Sequence, residues 1–235
     1  MLICNSNNFV FIRVPKGGST SALFYFLNSG LYNEDKDKVA VEAPFSCWMK
    51  MQKHFEEYPE TYLEKCLPLL SSFRNQNNLP VHSSYSDLVT AGRIKDKTRC
   101  YSTIRNPINR LCSIYCYEQK RRQALKVEKI DKDLNEFCYS ACIKGEKIDP
   151  EYSKKLQSSY FPDHAKLWNV ENLYEHAVAD ITALGGKINS KIHMRKTNSN
   201  PIDYKSLLSH EVVQMIELKY ALDFVLWEKA YAVYN

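Results

Sequence analysis

The 235-residue chain carries 32 Lys and Arg against 27 Asp and Glu, a net charge of +5, with 44% apolar and 25% charged residues. This is the composition of a folded globular domain, and it excludes a disordered or collagen-like chain. A +5 charge falls short of the dense basic stripe of a nucleic-acid domain, and no apolar run reaches the roughly 18 residues of a membrane span. A chain of this length buries roughly 70 to 75% of the surface its unfolded form exposes, so a single domain over 1–235 needs neither disulfide nor metal to hold a core.

In chain order, Phe9 to Val14 reads as a buried strand that Pro15 stops, and Gly17 and Gly18 allow backbone angles that other residues resist. Ser19, Thr20 and Ser21 are helix N-cap types, and Ala22 to Leu27 continues as an apolar helix that Asn28 to Gly30 can end. Turn N–H groups and the positive end of the helix dipole then converge on one point beside Lys16, which is an anion cradle for phosphate or sulfate. The lysine precedes both glycines, whereas in the nucleotide-triphosphate loop it follows the second. Taken alone, such a segment is also compatible with a plain structural turn.

Helices are expected over 46–58 and 59–73, then a strand over 79–82 that ends on His82. A second strand, Arg99 to Ile104, brings Arg105 to its C-terminal end, where ligands bind in open α/β sheets. Pro107 suits the first turn of a helix expected over 109–125, and Ser113, about two turns in, offers a hydroxyl to the anion that Arg105 would grip. The basic run Lys120 to Lys132 is interleaved with Glu128 and Asp131, so it reads as a solvated helix face or an electropositive lip.

Further helices are expected over 134–143, 172–184 and 211–224, with strands over 166–170 and 187–192. Alternating strands and helices imply a mainly parallel central sheet covered on both faces. Of the eight cysteines, Cys112/Cys116 and Cys138/Cys142 sit one helical turn apart. That is not zinc spacing, and the expectation is no metal, with free thiols in a reducing compartment.

Two segments carry a family resemblance. Val14-Pro-Lys-Gly-Gly-Ser-Thr-Ser21 resembles the 5′-phosphosulfate loop, and Thr103-Ile-Arg-Asn-Pro-Ile-Asn-Arg-Leu-Cys-Ser113 the 3′-phosphate motif, of sulfotransferases that use 3′-phosphoadenosine 5′-phosphosulfate. The carbohydrate branch, including heparan sulfate 2-O-sulfotransferases, is the nearest in pattern, with echoes at Val81 to Tyr85, Val170 to Leu173 and His193 to Thr197. Segments of roughly 34–78 and 121–158 have no counterpart and read as helical insertions. Gly17 stands where a threonine is common, Asn106 where aspartate is frequent, and Val81 where glycine often precedes the histidine.

The resemblance implies a P-loop-like three-layer α/β/α fold and in-line transfer of a sulfuryl group to an acceptor hydroxyl, releasing adenosine 3′,5′-bisphosphate. Lys16, Gly17, Gly18, Ser19, Thr20, Ser21, Arg105 and Ser113 would hold the cofactor, and Arg195, Lys196 and Thr197 would close over it. Lys16 would stabilise the leaving group without a metal, and His82 would take the acceptor proton, with an acidic limb near the ordinary histidine pKa of about 6.5. His54, His164 and His193 stand behind His82 as bases. A glycan acceptor ranks before a small molecule or a tyrosyl peptide, and the location expected is cytoplasmic, with no nucleic-acid or membrane partner. A P-loop kinase and a non-catalytic anion-binding module are the alternatives.

Overall fold

The structure, a computed structural model, describes residues 1–33, 36–39, 82–146, 148–188 and 203–233. Expected elements over 46–58, 59–73, 79–81 and 189–192 lie outside the described residues, as do Arg195, Lys196 and Thr197. Among the described residues, five strands, β1 (Leu2–Cys4), β2 (Phe9–Ile12), β3 (Lys38–Val39), β4 (Arg99–Ile104) and β5 (Lys166–Asn169), form one sheet in the order β3-β1-β2-β4-β5. β2 pairs parallel with β4, and β4 parallel with β5, whereas β1 is antiparallel to both of its neighbours. The sheet is therefore mixed, and the expected parallel arrangement is its β2-β4-β5 half.

Helices α1 (Ser19–Leu27), α2 (Tyr85–Thr90), α3 (Pro107–Ala124), α4 (Leu134–Cys142), α5 (Leu173–Ala183), α6 (His210–Lys219) and α7 (Ala221–Tyr231) follow. The protein is thus of the α/β class. Among the described residues, no helix is long and apolar enough to cross a membrane.

Alternation along β2 explains how both faces are covered, since successive side chains leave a strand on opposite sides. Phe9 and Phe11 join Phe26 of α1, Trp168 of β5 and Ala177 of α5 in one cluster, where Phe26 stacks on Trp168 at 4.8 Å. Val10, Ile12 and Val14 face the other way, against Leu88 of α2 and Tyr160. A third cluster sits beside the sheet, where Leu111 and Ile114 of α3 meet Phe137 of α4 and Ile216 of α6. Helix α3 therefore starts at the sheet edge and runs into a helical lobe.

Two differences from the sequence reading have local causes. The helix expected over 211–224 is two helices broken at Tyr220, whose hydroxyl donates to the Ser153 carbonyl at 2.8 Å. After the break, wholly buried Asp223 accepts the N–H groups of Gln157 and Ser158 at 2.7 and 2.9 Å, which ties α7 to the segment behind Arg105. The strand expected over 187–192 does not begin at 187, because Lys187 and Ile188 have no regular structure and the Lys187 N–H pairs with the Ser29 carbonyl.

The C-terminal ends of β2, β4 and β5 meet at Gly18, which takes a φ of 74°. A Cβ there would lie 2.6 Å from a methyl of Val170. Gly17 has an ordinary φ, and a Cβ on it would stand 3.2 Å from Val14 Cβ. Gly18→Ala should therefore cost about 2 to 4 kcal/mol in urea unfolding, the sum of the left-handed penalty and overpacking, and Gly17→Ala less than half of that. Equal losses for the two variants would contradict this geometry.

Candidate active site

Beyond β2 the chain folds back tightly. The Val14 carbonyl accepts both the Gly17 N–H at 3.2 Å and the Ser19 hydroxyl at 3.1 Å. Lys16 (φ 57°) and Gly18 are the left-handed residues, so the pair that bends the loop is Lys16 and Gly18 and not the two glycines. A lysine in that region is strained, and such strain concentrates at functional sites.

The expected N-cap is also relocated. Gly18 caps α1 without a side chain, Ser19 spends its hydroxyl on Val14, and the Thr20 hydroxyl accepts from the Arg13 guanidinium at 3.0 Å. Among the described residues nothing accepts the N–H groups of Gly18, Ser19, Thr20 or Ser21. An uncapped helix start of this kind favours an anion.

A residue given no role by the sequence reading holds the loop in place. Arg110 of α3, 1% exposed, donates to the Pro15 carbonyl at 3.0 Å, to Lys155 at 3.0 Å and to Tyr152 at 3.3 Å. All three acceptors are backbone carbonyls, which no sequence pattern displays. The position Arg110, five residues after Arg105, was the only available signal.

Lys16 is half-buried, with Nζ 4.0 Å above the Tyr117 ring. Burial and then the nearby Arg105 charge lower its pKa to about 8, while Glu118 pulls the other way. The Glu118 carboxylate is already engaged by Arg121 at 3.0 Å and by the Tyr152 hydroxyl at 3.2 Å. Arg105 is fixed through its backbone, since Gln157 accepts its N–H at 3.1 Å and donates to its carbonyl at 2.7 Å. Its guanidinium makes no hydrogen bond among the described residues, and burial pushes its pKa down. Ser113 lies buried on α3, one turn before Tyr117. The structure thus brings Lys16 and Arg105 together beside an uncapped helix start, with Ser113 on the adjoining helix.

His82 does not end a strand as expected but lies in a turn. Its Nδ1 is 2.9 Å from the Arg13 carbonyl, an acceptor only, so Nδ1 carries the proton and Nε2 is the basic nitrogen. Burial, reinforced by the Arg13 charge, lowers its pKa to about 3, which corrects the expected value near 6.5. His82 opens onto a 390 Å³ cleft with Ser84, Asp87, Lys155 and Tyr160. Asp87 and Ser84 form a capping box at the start of α2, a Ser-x-x-Asp signal that the sequence reading passed over.

His164 is exposed, with Nε2 3.3 Å from the Thr98 carbonyl just before β4, so it stands at the opposite end of the strand from Arg105. His54 and His193 lie outside the described residues. Among the described residues, no group of three His, Cys, Asp or Glu is arranged to hold a metal ion, and the six described cysteines are free thiols. No family model, curated protein or solved structure matches the chain.

The depressed histidine pKa fixes a pH dependence. Below about pH 6.5 the unfolded chain protonates His82 while the folded protein does not, so this group lowers stability progressively as pH falls towards about 3. Nitrogen-15 NMR of the imidazole should show His82 neutral, with the proton on Nδ1, from pH 8 down to pH 5. Titration of His82 between pH 6 and 7 would contradict the assigned environment.

Proposed function

We propose that this protein is a sulfotransferase that moves a sulfuryl group from 3′-phosphoadenosine 5′-phosphosulfate to an acceptor hydroxyl, a carbohydrate ranking first, on a P-loop-like three-layer α/β/α domain. One observation carries the reading. Two half-buried cations, Lys16 and Arg105, lie within electrostatic reach of one another beside the uncapped start of α1, while Glu118, which attracts Lys16, is engaged by Arg121 and Tyr152, and Glu171, which attracts Arg105, accepts from the Trp227 indole.

The residues present fit such a ligand. The free N–H groups of Gly18 to Ser21 suit a phosphosulfate, and Arg105 with Ser113 suits a second phosphate. Beneath the loop, wholly buried Thr103 has a hydroxyl with no partner among the described residues, and its carbonyl lies 3.5 Å from the Cβ position at Gly17. Bound there, the cofactor supplies an activated sulfuryl group with a phosphate leaving group.

The chain's own residues then have distinct tasks. Lys16, strained and fixed by the loop that Arg110 pins, neutralises charge that grows on the departing phosphate oxygen. His82, held through Nδ1 by Arg13, keeps Nε2 free to accept the acceptor's proton. His82 is anchored at Arg13, three residues before Lys16, and opens onto a cleft lined by Ser84, Asp87, Lys155 and Tyr160. A pKa of about 3 keeps the imidazole unprotonated throughout the neutral range but also makes it a weak base, so its role requires that bound substrate raise its basicity.

Turnover tests the reading. Adenosine 5′-phosphosulfate, which lacks the 3′-phosphate, should be a far poorer donor, because it leaves the donors of Arg105 and Ser113 unpaired. Comparable rates with both donors would sink the assignment. Lys16→Ala should lower kcat by roughly 100-fold while weakening donor binding less. Affinity for adenosine 3′,5′-bisphosphate should fall as pH rises through about 8, where Lys16 loses its charge. An affinity that stays flat to pH 10 would remove Lys16 from the anion site.

A further inference from the structure

Tyr117 is outside every role assigned so far, yet its ring is the surface on which the Lys16 ammonium rests, at 4.0 Å from the centroid. Three features of the surroundings give that contact a purpose. Lys16 and Arg105 repel one another, and burial denies both of them the water that would screen the repulsion. Glu118, adjacent to Tyr117 on α3, is tied to Arg121 and to the Tyr152 hydroxyl. Lys16 also sits on a left-handed backbone, and its stem runs to Tyr117 on α3. The negative face of an aromatic ring is what holds a cation where no carboxylate is available.

We infer that Tyr117 is a positioning residue that parks the Lys16 ammonium at the mouth of the anion site until an anion takes it over. This rests on the reading of Lys16 as an anion-site lysine. A dianion arriving between Lys16 and Arg105 displaces the ring as the partner of the ammonium, because an ion pair in a poorly hydrated site outweighs a cation–π contact. The lysine then moves only from the ring to the anion, with no search through solvent rotamers. The phenol hydroxyl has no part in this, so phenylalanine should serve as well as tyrosine, while an aliphatic side chain of similar bulk should not.

Competitive acetylation by trace acetic anhydride, with the Lys16 peptide quantified by mass spectrometry against the other lysines, reads the contact directly. Tyr117→Phe should label Lys16 at the parent rate, and Tyr117→Leu roughly 3-fold or more faster at pH 7, since losing the ring both frees the amine and disfavours its ammonium form. If Tyr117→Leu fails to melt cooperatively, Tyr117→Met is the replacement, with the same expectation. Parent-rate labelling in the aliphatic variant, or equally fast labelling in Tyr117→Phe, would overturn the inference. Protection of parent Lys16 by adenosine 3′,5′-bisphosphate judges the sulfotransferase reading separately, since the variant ratios are measured without nucleotide.

Discussion

The arrangement depends on one buried side chain that never reaches the site. Arg110 spends its guanidinium on the carbonyls of Pro15, Tyr152 and Lys155, and so fastens the loop after β2 to α3 and to the segment that carries Gln157. A buried arginine is tolerable only when its donors are satisfied, and here the Pro15, Lys155 and Tyr152 carbonyls supply the partners, that of Tyr152 while also accepting the Lys155 N–H. With Pro15 fixed, Lys16 must adopt its left-handed angle and Gly18 must pass close to Val170. The start of α1 is thereby left without a side-chain cap at the ends of three strands.

The second fastening engages the same segment, a few residues further along. Asp223 on α7 caps the segment at Gln157, and the Gln157 amide clamps both backbone groups of Arg105. Among the described residues the Arg105 guanidinium makes no hydrogen bond, with Glu171 the carboxylate that attracts it. The price of this design is two like charges in poorly hydrated surroundings, and a bound anion that relieves the repulsion stabilises the folded state by an amount that grows with the logarithm of its concentration above Kd.

Much of this was legible in the chain. The apolar run Phe9 to Val14, the glycine pair, and Arg105 followed by Pro107 located β2, the loop, the end of β4 and the start of α3, because local propensity and tertiary placement agree there. β1 was missed because Leu2 to Cys4 is too short for any periodicity to register, and it is held by its antiparallel neighbours β2 and β3. The break at Tyr220 escaped because the apolar pattern runs through it, and the reason to stop is a hydroxyl reaching Ser153, far away in sequence. Lys16 and Arg105 stand out in the chain by their charge and their place after a strand, whereas Arg110, Gln157 and Tyr117 act through backbone groups or a ring face and carry no such mark. The histidine value was misjudged for a related reason, since burial and the Arg13 charge are properties of the fold.

The central claim is that the free N–H groups at the start of α1 receive one phosphate while Arg105 receives another. Amide NMR during titration with adenosine 3′,5′-bisphosphate tests it directly. Large, saturable shifts are expected at Gly18, Ser19, Thr20 and Ser21, with the Arg105 side-chain resonance moving at the same nucleotide concentration. Saturable binding that leaves those amides unmoved, or no binding at millimolar nucleotide, would contradict it.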